Sequence, residues 1–227
     1  MNITYYGHSC FGVEVGGKNL LFDPFISPNE LAKKVDVTKI KADYILISHG
    51  HEDHMADAAS IAKQTNATVI ANYEIAVWHN AKQGVKNFHP MNFGGKWKFD
   101  FGTVKFVNAI HSSTLPDGTG GGNPGGFVVD STEGSFYFPG DTALTYDMKL
   151  IGEQYKLKFS FMPLGDNFTM GIDDAVKASD FIQCNNIVGM HYDTFGFIKI
   201  DHNKAKEKFS KAGKNLHLLE IGETKNI

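Results

Sequence analysis

The amino-acid sequence predicts an α/β fold in which two mixed β-sheets pack together with helices on the outside. The composition is that of an ordinary globular protein, since 42% of the 227 residues are hydrophobic and 21% are charged. Short β-prone runs open the chain, and strands then alternate with helices in both halves, a pattern typical of layered folds. No change in composition marks a linker, so we expect a single domain over residues 1–227.

The first part of the chain predicts a meander of strands followed by a buried strand and a helix. Glycines separate three β-prone runs, over 3–6, 11–15 and 19–22. A short helix or loop is expected over 29–34, and the uncharged run 44–47 indicates a buried strand over 42–48. A helix follows, because four apolar residues share one helical face, namely Met55, Ala58, Ala59 and Ala62.

The rest of the chain alternates between the two periodicities. Further strands are predicted over 67–71, 85–88, 97–99, 104–109, 127–129, 136–138, 157–163, 187–190 and 216–219. Further helices are predicted over 73–83, 143–153, 173–183 and 203–211. The segment Gly118–Gly126 holds six glycines in nine residues and is interpreted as a lid, a site entrance or a long crossover.

Composition also excludes several classes of protein. All 22 basic residues are lysines and the net charge is −3, which disfavours nucleic acid and anionic membranes as partners. No apolar run reaches the roughly 20 residues of a membrane span, and the first residues do not resemble a signal peptide. The two cysteines, Cys10 and Cys184, are too few for a disulfide framework. A cytoplasmic protein is therefore expected.

The strongest chemical signal is the segment 48–54, which reads Ser-His-Gly-His-Glu-Asp-His. It follows the buried strand directly and precedes the predicted helix. Imidazole and carboxylate groups are the usual ligands of zinc and similar metals. His49 and His51 can reach one ion from a tight turn, while Asp53 and His54 at the helix start can face a second ion. We therefore predict a metal site here.

Four further candidates occupy the same position in the predicted fold, directly after an apolar strand: His8, His111, Asp141 and His191. In open α/β sheets, functional groups gather beyond the carboxyl ends of the strands. Counting the motif with these residues, except His8, gives seven donor side chains, more than the roughly three protein ligands of one catalytic zinc. The count predicts two divalent ions, with zinc favoured and manganese or iron as alternatives.

We expect the two ions to share the Asp141 carboxylate, because a carboxylate has two oxygens whereas an imidazole ligates once. One ion is assigned to His49, His51, His111 and Asp141, and the other to Asp53, His54, His191 and Asp141. Two ions spaced about 3.5–4 Å apart would share a bridging hydroxide, the expected nucleophile. Asp53 would orient this nucleophile as well as ligate.

The pattern His49-x-His51-x-Asp53-His54, with the later His111, Asp141 and His191, resembles the metallo-β-lactamase-fold superfamily. The segments 7–11, 111–113, 140–142, 162–171 and 191–195 are similar to a branch of metal-dependent hydrolases related to ascorbate-6-phosphate lactonase. The resemblance covers nearly the whole chain. It implies a four-layer αβ/βα sandwich with a dinuclear site at one edge of the two sheets, and a hydrolase, but it does not fix the substrate. A small polar ester, lactone or phosphodiester is the expected substrate class.

Other residues are assigned less specific roles. The resemblance favours His8 as a group that lines the site and donates a hydrogen bond to the substrate or leaving group. Asp23, after the third strand, is expected either to orient a ligating histidine or to cap a turn. Asp166 and Asn167 are expected in the pocket or in a turn, and Asp193 beside the ligands or in solvent. Cys10 is expected to be buried and inert.

Three alternatives limit this interpretation. The di-iron oxygen-reducing branch is disfavoured because position 51 is His rather than Glu and no flavodoxin domain is present. A nucleic-acid phosphodiesterase shares the segment 140–142, but the chain lacks arginine and a basic clamp arm. A non-catalytic metal-binding or sensing domain would be expected to lack a ligand, and none is missing. The oligomeric state is left open, a homo-oligomer being one alternative.

Overall fold

The computed structural model describes residues 1–227. Its fourteen strands are β1 (Asn2–Gly7), β2 (Cys10–Val15), β3 (Lys18–Phe22), β4 (Tyr44–Leu46), β5 (Thr68–Asn72), β6 (Phe88–Met91), β7 (Lys96–Lys98), β8 (Thr103–Asn108), β9 (Gly125–Ser131), β10 (Gly134–Phe138), β11 (Leu157–Pro163), β12 (Asn186–Met190), β13 (Asn215–His217) and β14 (Thr224–Asn226). The six α-helices are α1 (Glu52–Met55), α2 (Ala58–Thr65), α3 (Tyr73–Gln83), α4 (Asp147–Gln154), α5 (Ile172–Phe181) and α6 (His202–Lys211). Short 3₁₀ turns occupy Glu30–Ala32, Val37–Lys39 and Gly196–Ile198.

The strands form two seven-stranded mixed sheets, with the orders β14-β1-β2-β3-β4-β5-β6 and β13-β12-β11-β10-β9-β8-β7. In the first sheet, the strands from β14 to β3 pair antiparallel and those from β3 to β6 pair parallel. The second sheet has the same division, parallel from β13 to β10 and antiparallel from β10 to β7. The parallel ladders bring successive carboxyl ends to one edge of each sheet.

Three apolar cores hold the layers together. The largest, with 23 buried residues, joins strands of both sheets and includes Phe22, Phe136 and Phe161. A second core packs helices α1 to α3 on the first sheet, and a third packs α4 to α6 on the second. These cores define an αβ/βα sandwich and confirm the predicted fold class. None of the helices combines the length and apolar character that crossing a bilayer requires.

The structure corrects the sequence prediction at three elements. The helix expected through Met55 and Ala58 is interrupted, because Asp57 accepts hydrogen bonds from the backbone amides of Ile26 and Ser27 at 2.7 and 2.9 Å. The strand predicted over 85–88 lies instead at Phe88–Met91, in register with β5. β14 was missed because its residues, Thr224–Asn226, carry no apolar pattern, although they pair with β1.

The glycine-rich segment Gly118–Gly126 is tightly packed over part of its length. A Cβ atom on Gly125 would lie 2.3 Å from the Phe106 ring, so only glycine allows this close approach of β9 to β8. Gly121 accepts hydrogen bonds from Asn72 Nδ2 at 2.6 Å and from Ser113 Oγ at 3.1 Å. Ser113 Oγ in turn accepts from the Gly50 amide at 3.0 Å, so this segment lies beside the motif turn.

Candidate metal centre

The predicted site residues occupy loops at the carboxyl ends of strands from both sheets. These loops follow β1, β3, β4, β8, β10, β11 and β12. They carry, in chain order, His8, Asp23, His49, His51, His111, Asp141, Asp166, Asn167, His191 and Asp193, while Asp53 and His54 lie in α1. The fold therefore places residues that are up to 185 positions apart, namely His8 and Asp193, at one edge of the sandwich.

Asp141 lies at the centre of a cluster of histidines. Its Oδ2 atom is 2.9 Å from Nε2 of His191, 3.3 Å from that of His54, 3.6 Å from that of His111 and 4.0 Å from that of His49. The carboxylate is 3% exposed. One oxygen thus faces four imidazole nitrogens that come from three separate segments of the chain, since His49 and His54 share the segment 48–54.

The donor atoms fall into groups small enough to surround an ion. One group contains His49, His51 and His111, and another contains His8, Asp53, His54 and His191; within each group the donor atoms lie within 4.8 Å of one another. Asp141 contacts both groups. These two groups parallel the predicted ligand sets, except that His8, expected outside them, joins the second group. A third group, formed by Asp23, His49 and His54, takes one histidine from each set. The ligand roles themselves remain predictions.

The chemistry of the cluster fits divalent cations. Asp141 Oδ1 is buried without a hydrogen-bond partner. Buried polar atoms are normally paired, so unpartnered acceptors and imidazole nitrogens that converge are best explained by a ligand that is a cation. Burial would by itself raise the pKa of Asp141, but the charges of His191 and His54 hold that pKa well below its usual value. An ionised carboxylate is the form that ligates a metal.

Three histidines of the cluster are held neutral. Burial is the largest cause that lowers the pKa of His49, His51 and His111, and neighbouring histidines lower these pKa values further. Neutral imidazole is the state that coordinates a metal. This group is therefore prepared for an ion at neutral pH without loss of a proton.

His54 differs from these three residues. Burial opposes its protonation, but the carboxylates of Asp141, Asp53 and Asp23 together raise the pKa of His54 well above its usual value. His54 Nδ1 lies 2.8 Å from Asp23 Oδ2 and its Nε2 lies 3.3 Å from Asp141 Oδ2. The positive charge of the His54 imidazolium thus offsets the negative charge of the neighbouring carboxylates. A metal that coordinates His54 Nε2 would have to displace the proton on that atom.

We therefore expect metal affinity to rise with pH. Because the raised pKa keeps His54 protonated near neutrality, binding should release about one proton per chain, and affinity should weaken as pH falls. Titration calorimetry in two buffers of different ionisation enthalpy measures that proton directly. Binding without proton release, with an affinity that stays constant between about pH 6 and 8, would contradict the expectation.

Asp23 and Ser48 fix the orientation of the motif histidines. The fully buried Asp23 accepts hydrogen bonds from the Ser48 amide at 2.8 Å and from the Ser48 hydroxyl at 2.6 Å, and it contacts His54 Nδ1. Ser48 Oγ also lies 2.9 Å from His49 Nδ1. One buried carboxylate thus orients two imidazoles, a common arrangement behind metal ligands. The geometry favours the orienting role for Asp23 over simple turn capping.

His8 occupies the side of the cluster nearest Asp53. Its Nε2 atom lies 3.2 Å from Asp53 Oδ2 and its Nδ1 atom lies 3.0 Å from Thr194 Oγ1. Burial lowers the pKa of His8 to about 4, although Asp53 opposes this shift. His8 is therefore neutral near pH 7 and can act as a hydrogen-bond donor. The Asp53 side chain is 28% exposed, so the cluster is accessible to solvent on this side.

Backbone strain is concentrated around the site. Eight residues other than glycine have φ in the left-handed region, and six of them are predicted site residues: His8, Asp23, Asp166, Asn167, His191 and Asp193. Such conformations cost about 1–3 kcal/mol each and cluster at functional sites. Gly140, beside Asp141, also has φ in the left-handed region, at 63°. Only glycine fits there, because a Cβ atom would lie 2.5 Å from Ser48 Cβ. The sheets thus hold the loops in conformations that the local sequence alone does not favour.

Three predicted pocket residues lie outside the cluster. Asp166 accepts from the Asn167 amide at 2.8 Å within a turn, and neither side chain bonds to the cluster. Asp193 pairs with His202 at 2.6 Å and accepts from the Ile200 amide at 3.0 Å. The geometry therefore favours the turn for Asp166 and Asn167. It favours a loop-stabilising role for Asp193.

Sequence reasoning assigned no role to Ser48, Thr194 or Phe195, which all contact site residues. Ser48 stands next to His49, and position in the motif was its only signal. Thr194 and Phe195 follow His191 closely, but their contacts with His8 link distant parts of the chain. Cys10 is fully buried, and burial raises the pKa of its thiol well above the usual value, which agrees with an inert residue.

The chain is similar to known proteins over most of its length. A family model described as "Beta-lactamase superfamily domain" matches residues 2–191. A protein of Flavobacterium johnsoniae named "UPF0173 metal-dependent hydrolase" is 55% identical over 224 residues, which is 99% of this chain and 99% of that protein. A protein of the same name from Methylacidiphilum infernorum is 50% identical over 224 residues, again 99% of each chain.

Solved structures show the same fold. The structure of Igni18, described as a novel metallo hydrolase from the archaeon Ignicoccus hospitalis, is 34% identical with a TM-score of 0.87 and covers 98% of this chain and 96% of its own. An isothiocyanate hydrolase from Delia radicum gut bacteria has a TM-score of 0.80 over 100% of this chain and 99% of its own. At 18% identity, the second structure supports the fold alone.

Proposed function

The chain belongs to the β-lactamase superfamily and is a metal-dependent hydrolase, and from this premise we propose that it binds two divalent ions and hydrolyses a small polar ester, lactone or phosphodiester. Zinc is the favoured metal, with manganese or iron as alternatives. The substrate is proposed to be a small molecule encountered in the cytoplasm. The alternative of a non-catalytic domain is set aside because the relatives are named as hydrolases.

The observation that carries this proposal is the position of Asp141. Its carboxylate contacts both histidine groups, has one oxygen without a partner, and lies within 4.0 Å of four imidazole nitrogens. A carboxylate in that position can serve two ions at once, whereas one ion cannot use all seven donors. His49, His51 and His111 would hold one ion, and Asp53, His54 and His191 the other.

Two such ions supply, when bound, a water of pKa near 7 and an electrophile for the scissile carbonyl or phosphoryl oxygen. Burial would raise the pKa of Asp53, but His54 and His8 hold it below its usual value, so Asp53 is ionised and can accept a proton from the attacking water. His8 Nε2 is directed at the same carboxylate and can donate to the substrate or leaving group. Hydrolysis forms a bond from the water oxygen to the reacting centre, breaks the bond to the leaving group and returns a proton to that group.

Metal content measured together with turnover tests this function. Wild-type protein reconstituted with zinc, manganese or iron should bind close to two ions per chain and cleave one class in a panel of lactones, phosphodiesters and thioesters. The class that is cleaved separates carbon-centred from phosphorus-centred chemistry. Less than one bound ion with each of the three metals, together with no turnover, would refute the proposal.

His8→Ala should reduce turnover and leave metal content unchanged. The substitution removes the hydrogen bond to Asp53 and a hydrogen-bond donor to the substrate. Loss of one such donor lowers turnover by about 10²–10³-fold. Elemental analysis beside kinetics measures both quantities. His79→Ala is a matched control, because His79 is equally buried but bonds only to the Ile75 carbonyl, at 3.0 Å. Lost metal, or unchanged turnover, in His8→Ala would rule out this role.

A further inference from the structure

An unusual group of phenylalanines lies beside the metal centre. The Phe195 ring is 5.4 Å from the His8 imidazole in an edge contact, and Phe25 is 5.7 Å from the same imidazole. Phe25 and Phe195 are 6.3 Å apart. Phe25 is buried and His8 is 1% exposed, whereas Phe195 is 39% exposed. Phe195 is thus the more exposed of the two phenylalanine rings that contact His8.

Two further exposed phenylalanines, Phe197 and Phe168, lie on the loop of Phe195 and on the loop after β11. Phe197 is 79% exposed, and Phe168, 51% exposed, makes an edge contact with it at 6.3 Å. The two loops that carry these rings are packed together, since a Cβ on Gly165 would lie 2.3 Å from the His191 carbonyl oxygen. The same loops hold His191 and bond to Thr142, next to Asp141, through the Met170 amide at 3.0 Å. Large exposed aromatic side chains next to a reactive centre mark a binding surface.

Neither lysine nor arginine contacts these phenylalanines or the cluster. The chain contains no arginine, and no lysine makes a hydrogen bond, an ion pair or a ring contact with the cluster or with these phenylalanines. Proteins that recognise phosphate usually supply such groups. Lys199, exposed at the end of the 3₁₀ turn, is the one lysine in the loop after His191. The surroundings therefore suit a neutral, apolar group better than a phosphorylated one.

We propose that Phe195, with Phe197 and Phe168 beyond it, forms the substrate wall of this site and binds the aromatic or branched aliphatic acyl group of a neutral carboxylic ester or lactone. This inference rests on the proposed function and makes it specific, since it selects carbon-centred hydrolysis. Water adds to the acyl carbon, the bond from that carbon to the alcohol oxygen breaks, and the alcohol leaves with a proton. Phe195 determines specificity by contact and takes no part in proton transfer.

The binding affinities of two hydroxamates test the proposed role of Phe195 without relying on catalytic activity. Benzohydroxamate and acetohydroxamate carry the same metal-chelating head and differ in their apolar group, and their affinities for the zinc-loaded protein are compared by calorimetry. The wild type should prefer benzohydroxamate by about tenfold or more, since filling an apolar site changes affinity by 10–200-fold. Phe195→Ala should abolish that preference and Phe195→Leu should restore part of it. Phe93→Ala is the control, because the exposed Phe93 ring contacts Phe106 and not His8. This variant should keep the preference for benzohydroxamate.

Kinetics with p-nitrophenyl acetate, p-nitrophenyl benzoate and bis(p-nitrophenyl) phosphate completes the test. In Phe195→Ala, kcat/KM for the benzoate should fall about tenfold or more while that for the acetate changes less than about threefold, and Lys199→Ala should leave both unchanged. Equal hydroxamate affinities in the metal-loaded wild type would overturn the inference while the hydrolase stands. The inference would also be overturned if the wild type cleaved only the phosphodiester and if Lys199→Ala lowered that activity. Failure to load metal would refute the proposed function, and this inference with it.

Discussion

Asp141→Asn should reduce the metal content from about two ions per chain to one or fewer and should abolish most turnover. The carboxylate lies within 4.0 Å of histidines from both sets, whereas the amide of asparagine offers a single neutral acceptor. Loss of a group behind a ligand typically costs about 10–100-fold in metal affinity or activity, so loss of a shared ligand should exceed a hundredfold. Elemental analysis after dialysis and kinetics on the preferred substrate measure both effects.

A matched substitution separates this effect from a general change in charge. Asp174→Asn makes the same chemical change at an exposed carboxylate on α5 that forms no hydrogen bond or ion pair. It should leave metal content and turnover at wild-type values. If Asp141→Asn instead retained two ions and full activity, the shared-ligand assignment would be wrong and the four imidazole contacts would need another explanation.

Asp23→Ala should give the largest loss of stability among the site variants. The substitution leaves the Ser48 amide, the Ser48 hydroxyl and His54 Nδ1 without their common buried partner. Removing one partner of a buried ion pair costs about 3–5 kcal/mol. Because the same carboxylate orients His54, metal affinity should also fall about 10–100-fold. Urea unfolding of metal-free protein gives the first quantity, and competition with a chelator gives the second.

Asp57→Ala separates the loss of stability expected for Asp23→Ala from its expected loss of metal affinity. Asp57 is also buried and also accepts two hydrogen bonds, from the amides of Ile26 and Ser27, but it bonds to none of the cluster residues. Its removal should reduce the free energy of unfolding and leave metal affinity intact. Asp23→Asn, which keeps an acceptor for the Ser48 amide, provides a folded variant in case the alanine does not fold. Unchanged metal affinity in both Asp23 variants would exclude the orienting role.

Much of the fold follows from local patterns in the sequence. The helix Tyr73–Gln83 and the strand Leu157–Pro163 have the predicted bounds, because Gly84 ends the helix in the left-handed conformation and the strand is an almost uninterrupted buried apolar run. Elements without such a pattern were missed or shifted. β14 exists because β1 offers it an edge to pair with, and α1 and α2 are separate because Asp57 is bound to a distant loop. Local sequence does not encode these partners.

The candidate ligands could be named from the sequence because metal-binding side chains are chemically distinctive and recur directly after predicted strands. Their residue types and positions determined that His49, His51, His54, His111, Asp141 and His191 belong together. Only the tertiary structure decided their surroundings. In that structure His8 contacts Asp53, Asp23 contacts His54, Asp193 pairs with His202 outside the cluster, and the Phe195 ring packs on His8. These outcomes depend on which loops the packed sheets bring within hydrogen-bond or van der Waals range, and such distances are set by the whole core rather than by neighbouring residues.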